Sequence, residues 1–374
     1  MLDLESFNCT GCTACYNICP TQAITMLVDK EGFKFPRIDN AQCINCSLCK
    51  KVCVPLNGYT QQTFEQKVYG AKNKDVEERK HSQSGGVFFV LAKYVLAQGG
   101  VVYGALIDDA FAVRHGRAIT EEQAKLFRGS KYVQSDLGNI FKDIKKDLEA
   151  GLKVLFSGVP CQVAGLKSFL KKDYENLLLV DVICHGVPSP MVWSDYIQWQ
   201  QARLKNNIEQ VDFRDKDLPW GVHYEKLTLK NKRKKFQIYA RLFHSHNILR
   251  KSCYNCLFAT TERVSDITIG DYWGIENIKS EFKDDFGVSA VLINSKKGDC
   301  IWNKVAKDFD WFACDIQDVL PRNPNLAQAT SMPNAREQFW KDYEKGFTMI
   351  SKKYGKYTII DRIKLIIKRI LKKI

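Results

Sequence analysis

The stretch CTGCTACYNICP at residues 9–20 returns, with the same rhythm, as CINCSLCKKVCVP at residues 43–55. Each run spaces its cysteines C-x2-C-x2-C-x3-C: Cys9, Cys12, Cys15 and Cys19, then Cys43, Cys46, Cys49 and Cys53. Pro20 follows the first run at once, whereas Pro55 stands two residues beyond Cys53. Three thiolates on so short a loop cap three irons of a cubane, and the fourth, on the next helical turn, reaches across to the other cluster. The spacing therefore predicts one 4Fe-4S cluster on Cys9, Cys12, Cys15 and Cys53, and a second on Cys43, Cys46, Cys49 and Cys19. Structural zinc prefers two separated C-x2-C pairs and is the weaker reading of a doubled four-cysteine run.

Working outward, the cysteine-dense segment ends near Gly58 and the polar stretch YTQQTFEQK (59–67) leads into sequence of another texture. This places a small ferredoxin-like domain at residues 1–60. The chain has 374 residues and 45% hydrophobic content, enough for a sizeable second core. Fourteen cysteines would suggest disulfides in a short secreted chain, but the opening MLDLESFN carries no signal-peptide pattern, so they are expected to be reduced metal ligands in a cytoplasmic protein. No apolar run is long enough to span a membrane; VFFVLAKYVLA (87–97) is short and interrupted by Lys93.

From residue 67 strand-like and helix-like runs alternate: VYGAK, helical GGVFFVLAKYVLAQ, VVYGALI, helical EEQAKLF and helical LGNIFKDIKKDLEAG. The apolar strand VLFSG, helical CQVAGLKSFLKK and the strand LLLVDVIC then form a βαβ pattern. A helix near 190–204 and the strands IEQVDFRD, YEKLTLKN, KKFQIYAR, ITIGDYWG and VSAVLINS follow. The expected class is α+β: the small two-cluster domain followed by a larger mixed α/β domain over residues 61–335. Cys161 follows VLFSG and Cys184 ends LLLVDVI, so a parallel βαβ unit puts both at the carboxyl edge of the sheet, where open α/β sheets bind ligands. With the C-x2-C of Cys253 and Cys256 they make four thiolates for a third cubane, although buried structural cysteine reads the same spacing. Cys300 and Cys314 are expected to be structural.

Two loops suit a phosphate-bearing cofactor. Ser84, Gly85 and Gly86 open a helix whose free N–H groups and positive end meet an anion, though an ordinary serine-capped start looks alike. Arg128, Ser130 and Lys131 lie on the small-residue turn RGSKYVQS, which suits a phosphate or a reduced flavin's negative charge; a solvated basic loop is the alternative. Ser157 and Gly158, at the end of VLFSG, join this cofactor-binding set. His185, beside Cys184, is a candidate proton donor, and Lys131 and His185 are the expected catalytic residues.

The net charge of +14 is unevenly placed: residues 345–374 hold ten Lys/Arg against one Asp, which leaves +5 elsewhere. In TIIDRIKLIIKRILKKI (358–374), Ile359, Ile363, Ile366, Ile367, Ile370 and Ile374 share one helical face. A basic amphipathic tail over residues 336–374 is expected, bound to an anionic membrane surface at the inner face or to a partner. Charge concentrated in the tail, rather than interleaved with aromatics across a face, argues against nucleic acid.

The motifs SGGVFF, GSKYVQS, FSGVPCQVAGL, CHGVPSP, the C-x2-C at Cys253 and SDITIGDYWG stand in order over residues 67–295. In these the chain resembles the beta-subunit family of the deazaflavin-coenzyme (factor 420) hydrogenases and dehydrogenases. The resemblance implies FAD and a 4Fe-4S cluster in the large domain, with FAD at the Gly85/Gly86 helix start and the Ser130/Lys131 loop. It implies an oxidoreductase passing electrons between 4Fe-4S clusters, or a ferredoxin or other redox partner, and a hydride-accepting or hydride-donating small molecule. A non-catalytic electron-transfer subunit of a larger redox complex is the alternative.

Overall fold

The computed structural model describes residues 8–59, 64–214, 216, 217, 220–230 and 232–355. The amphipathic helix expected over residues 358–374 lies outside them. Among the described residues no helix is long and apolar enough to cross a membrane.

The cysteine-rich segment forms an antiparallel hairpin, β1 (Ile24–Val28) and β2 (Lys34–Ile38), between the short helices Ala14–Ile18, Leu48–Lys51 and Val54–Asn57. Such short helices have little stability alone, and the buried Ala14, Val52 and Val54 join the core of the larger domain.

That domain is built on β3 (Lys67–Asn73), β4 (Val101–Ile107), β5 (Val113–Ala118), β6 (Val154–Gly158) and β7 (Leu177–Val182), with β8 (Ile208–Asp212), β9 (Glu225–Leu229) and β10 (Lys232–Phe236) set apart as an antiparallel three-stranded sheet. The strands β11 (Ile267–Asp271), β12 (Ser289–Ile293) and β13 (Phe309–Cys314) complete a sheet of eight, ordered β13-β3-β12-β11-β7-β6-β4-β5. Its centre, β11-β7-β6-β4, is parallel, and every flanking pair is antiparallel. In this centre β6, the helix Pro160–Leu170 and β7 form the βαβ unit that the sequence pattern predicts, with Phe156 opposite Leu179.

Both faces of the parallel strands are buried, as their near-continuous apolar sequences require. Val102, Leu155, Leu178, Val180 and Ile267 pack under the helices Val87–Leu96 and Lys296–Val305. The alternate residues Tyr103, Phe156 and Leu179 pack under Ile140–Glu149 and Pro160–Leu170, the face on which the cysteine-rich segment is seated.

Three features differ from the sequence reading. KKFQIYAR is not one strand: β10 ends at Phe236 and Ile238–His244 is helical, because Tyr239, Leu242 and Phe243 are buried at helical spacing. The strands β5 and β13 also appear, in VRHGRA, where charged residues interrupt the apolar pattern, and in FDWFAC, where apolar residues at neighbouring positions leave no clear alternation. The C-terminal tail does not begin at residue 336, since Arg336–Tyr343 and Phe347–Lys353 are helices that bury Phe339 and Ile350 in the aromatic core around Trp193.

Candidate functional site

The first cysteine run wraps tightly through two left-handed residues, Gly11 at φ 72°, where glycine is at ease, and Thr13 at φ 62°, a strained position for a β-branched side chain. Cys9, Cys12 and Cys15 thereby line one cavity together with Cys53 from the second run. Burial pushes the Cys53 thiol up to about 12, and the nearby Cys12 and Cys9 push in the same direction. Cys15 is raised for the same reasons. Such a group of like-charging thiols is held as thiolates only by a compensating cation. Of the remaining cysteines of the module, Cys46 and Cys19 lie close enough to Cys49 to raise it, after burial. This group lies outermost: Cys46 is exposed and its neighbour Ile44 is 63% exposed.

Cys161 at the start of Pro160–Leu170, Cys184 after β7, and Cys253 and Cys256 around the short turn Lys251–Asn255 line a second cavity. Burial raises all four thiols, and the charges of the others add to it at Cys161 and Cys184. Backbone N–H groups already point at the sulfurs: Gly186 N–H at Cys184 Sγ and Val187 N–H at Cys253 Sγ, each at 3.4 Å. In both cavities the thiols surround a volume. Among the described residues no three His, Cys, Asp or Glu side chains converge on a point as a single ion requires. The two cavities share Thr10 in their walls, and Cys12 lies close enough to Cys161 to raise it.

At the carboxyl edge of the parallel strands, where such sheets bind ligands, lies a larger cleft of about 260 Å³. Ser84, Gly86, Ser130, Lys131, Ser157, Gly158 and His185 all line it, and it shares Cys184, His185, Gly186 and Val187 with the quartet cavity. The helix Val87–Leu96 starts at Gly86, at φ 77° and without a side-chain cap, so its first N–H groups are left for a ligand. Burial, opposed by Asp212 and reinforced by Arg128, lowers Lys131 to about 7, and its ammonium donates to the carbonyls of Leu126 (2.9 Å) and Arg128 (2.8 Å). Burial also lowers His185.

One assignment changes. Gly85 does not line the cleft; a Cβ there would stand 2.2 Å from the Ala71 carbonyl, so this glycine serves the packing of the loop on β3 and β12. Arg128 lines the cleft while one of its terminal nitrogens pairs with Glu78 (2.8 Å) and its guanidinium stacks on Phe89.

Several lining residues escape sequence reasoning. His115 donates through Nε2 to the Ser157 carbonyl (3.0 Å), and burial lowers it to about 4, leaving a neutral ring whose buried Nδ1 has no partner among the described residues. Asp271 holds Arg214 (2.7 Å) and accepts from Trp220 Nε1 (2.8 Å). Tyr132 and Phe243, stacked at 4.7 Å, form with Trp273 an aromatic wall. Asp271 and Trp273 stand in the quoted GDYWG, the one sequence feature pointing to them. An uncapped helix start, an unpaired acceptor and a flat aromatic wall fit a phosphate-bearing, planar cofactor of the flavin type.

Residues 151–315 match the family model for the C terminus of the coenzyme F420 hydrogenase/dehydrogenase beta subunit, and residues 8–55 match that of the 4Fe-4S dicluster domain. Among solved structures, a chain of the F420-reducing NiFe hydrogenase complex from Methanosarcina barkeri is similar at 18% identity and a TM-score of 0.48, over 78% of this chain and 95% of that one. No curated protein matches.

Proposed function

We propose, for a chain whose residues 151–315 belong with the C-terminal domain of coenzyme F420 hydrogenase/dehydrogenase beta subunits and whose residues 8–55 are a 4Fe-4S dicluster domain, that it is an FAD-dependent oxidoreductase. It exchanges electrons with a redox partner protein at the cysteine-rich end and with a small hydride acceptor or donor at the sheet edge. The observation that carries this reading is a run of shared walls. Thr10 borders both the first cysteine cavity and the quartet cavity, and Cys184, His185, Gly186 and Val187 border both the quartet cavity and the cleft.

Cubanes at the thiol groups supply one-electron transfer, and a flavin in the cleft supplies the exchange between single electrons and a hydride equivalent. The chain's own residues do the rest. The helix start at Gly86 and the Ser130–Lys131 turn bind the cofactor's phosphates, while the wall of Tyr132, Phe243 and Trp273 orients its plane and excludes water. His185, set between cleft and quartet, holds the proton that accompanies reduction. The exposed Cys46 and Ile44 present the outermost thiol group to the partner.

The test is anaerobic purification with iron, sulfide and released flavin counted per chain. About twelve irons, four per cubane over three cubanes, with one FAD is the expected result. About eight irons without flavin would replace the reading with a non-catalytic electron-transfer subunit.

A further inference from the structure

Five arginines are buried among the described residues, and four of them face a carboxylate: Arg79 with Asp284, Arg214 with Asp271, Arg263 with Asp181 and Arg336 with Glu31. Arg250 is the exception. It is 0% exposed, and no carboxylate of the described residues pairs with it.

Its guanidinium is held by neutral groups. Nε donates to the Cys9 carbonyl at 2.6 Å, one terminal nitrogen to Gln134 Oε1 at 3.1 Å and the other to the Lys34 carbonyl at 2.9 Å. Phe35 and Phe33 offer ring faces at 4.1 and 5.4 Å. Gly11, inside the first cysteine run, lies so close that a Cβ would be 3.0 Å from the guanidinium, so the absence of a side chain there lets the fork reach the loop. On the other side the Arg250 carbonyl accepts from Cys253 N–H at 2.9 Å, at the entrance of the quartet turn. One residue thus touches the loops that carry two different thiol groups. Carbonyls and ring faces solvate a cation only partly, and an uncompensated buried charge is expensive against the narrow stability of a domain.

We propose that the missing counter-charge of Arg250 is the pair of anionic thiolate-bound clusters on either side of it, which makes Arg250 a positioning residue that couples the two. The inference rests on the cluster reading above. Two consequences follow from a shared cation. It favours the more negative, reduced state of both neighbouring clusters, and it makes cluster occupancy and the seating of the cysteine-rich segment mutually dependent, as linkage requires.

The experiment compares the full chain with Arg250→Gln and Arg250→Lys, using anaerobic redox titration followed by electron paramagnetic resonance. Arg250→Gln removes the charge and is expected to disfavour reduction at two of the three clusters by roughly tenfold each, which is ~59 mV for a one-electron couple. The cluster on Cys19, Cys43, Cys46 and Cys49 should stay in place, and Arg250→Lys should recover most of the shift. If Arg250→Gln retains its irons and all three midpoints, the proposal is overturned while the cluster reading stands. If the parent chain binds no iron, the cluster reading fails first. A second readout covers a variant that does not load. Amide exchange of Asn17 and Cys253, whose N–H groups donate to the Thr13 and Arg250 carbonyls at 2.9 Å each, should quicken in the parent chain when the clusters are removed, and unchanged protection would equally overturn the coupling.

Discussion

Substituting Gly165 by alanine sets two opposing effects against each other inside the helix Pro160–Leu170. Alanine is favoured over glycine in a helix interior by about 1 kcal/mol, so intrinsic propensity predicts stabilisation. The structure predicts the reverse. A Cβ at position 165 would stand 2.8 Å from Cys12 Cβ and 2.9 Å from Cys12 Sγ, with Phe141 behind it at 3.5 Å. Overpacking of this kind costs about 1–3 kcal/mol. The upper half of that range applies, because Cys12 Cβ moves only with its backbone and a cluster-bound sulfur cannot rotate away. The net effect in the loaded protein is a loss of about 1–2 kcal/mol, roughly a five- to thirty-fold fall in the folded ratio. In the metal-free chain Sγ is free to turn, and the loss should be smaller. Anaerobic urea denaturation of both forms, with iron counted alongside, measures the difference. A loaded Gly165→Ala protein that is more stable than its parent, with unchanged iron, would refute the reasoning.

Other expectations concern the ion pair between module and body and the charge in the cleft. Arg336 donates to both oxygens of Glu31, while Lys251 stands 3.8 Å from that carboxylate. Arg336→Met should cost about 3–5 kcal/mol by stranding Glu31, less whatever Lys251 recovers, and adding Glu31→Gln should restore part of it in the same denaturation assay. Lys131, lowered to about 7, is an ammonium below that pH and an amine above it. Binding of FAD to flavin-stripped protein should therefore weaken as pH rises through 7, and Lys131→Met should flatten the profile; titration by flavin fluorescence reads both.

The parts of the molecule visible in its sequence are those whose chemistry is local. Eight cysteines within forty-five residues announce their grouping because short loops leave the thiols few alternatives, and Cys161 and Cys184 were placeable because an apolar strand fixes where its carboxyl end lies. Arg250 was invisible: its partner Cys9 is 241 residues away, and no pattern marks one basic residue as buried. Gln134, whose amide donates to the Thr10 carbonyl, and His115, paired with Ser157, escaped in the same way. The segment 336–353 departs from the sequence reading for a different reason. Its lysines dominate the charge count, whereas Phe339, Phe347 and Ile350, spaced to pack, decide the structure.

The seating of the cysteine-rich segment bears on how such a protein can be remodelled. Ferredoxin-like segments invite treatment as interchangeable cassettes, yet this one is gripped through its own backbone: Ser189 Oγ donates to the Glu31 carbonyl (2.5 Å), and Arg250 to those of Cys9 and Lys34. Gly32 lies so near Met191 that a Cβ would come within 2.3 Å of that side chain. A transplanted segment with the right cysteines but a larger residue at position 11 or 32, or without an acid at position 31, would stand off from the body and, on the coupling proposed for Arg250, hold its inner cluster less firmly. The graft would then be wired at one end only.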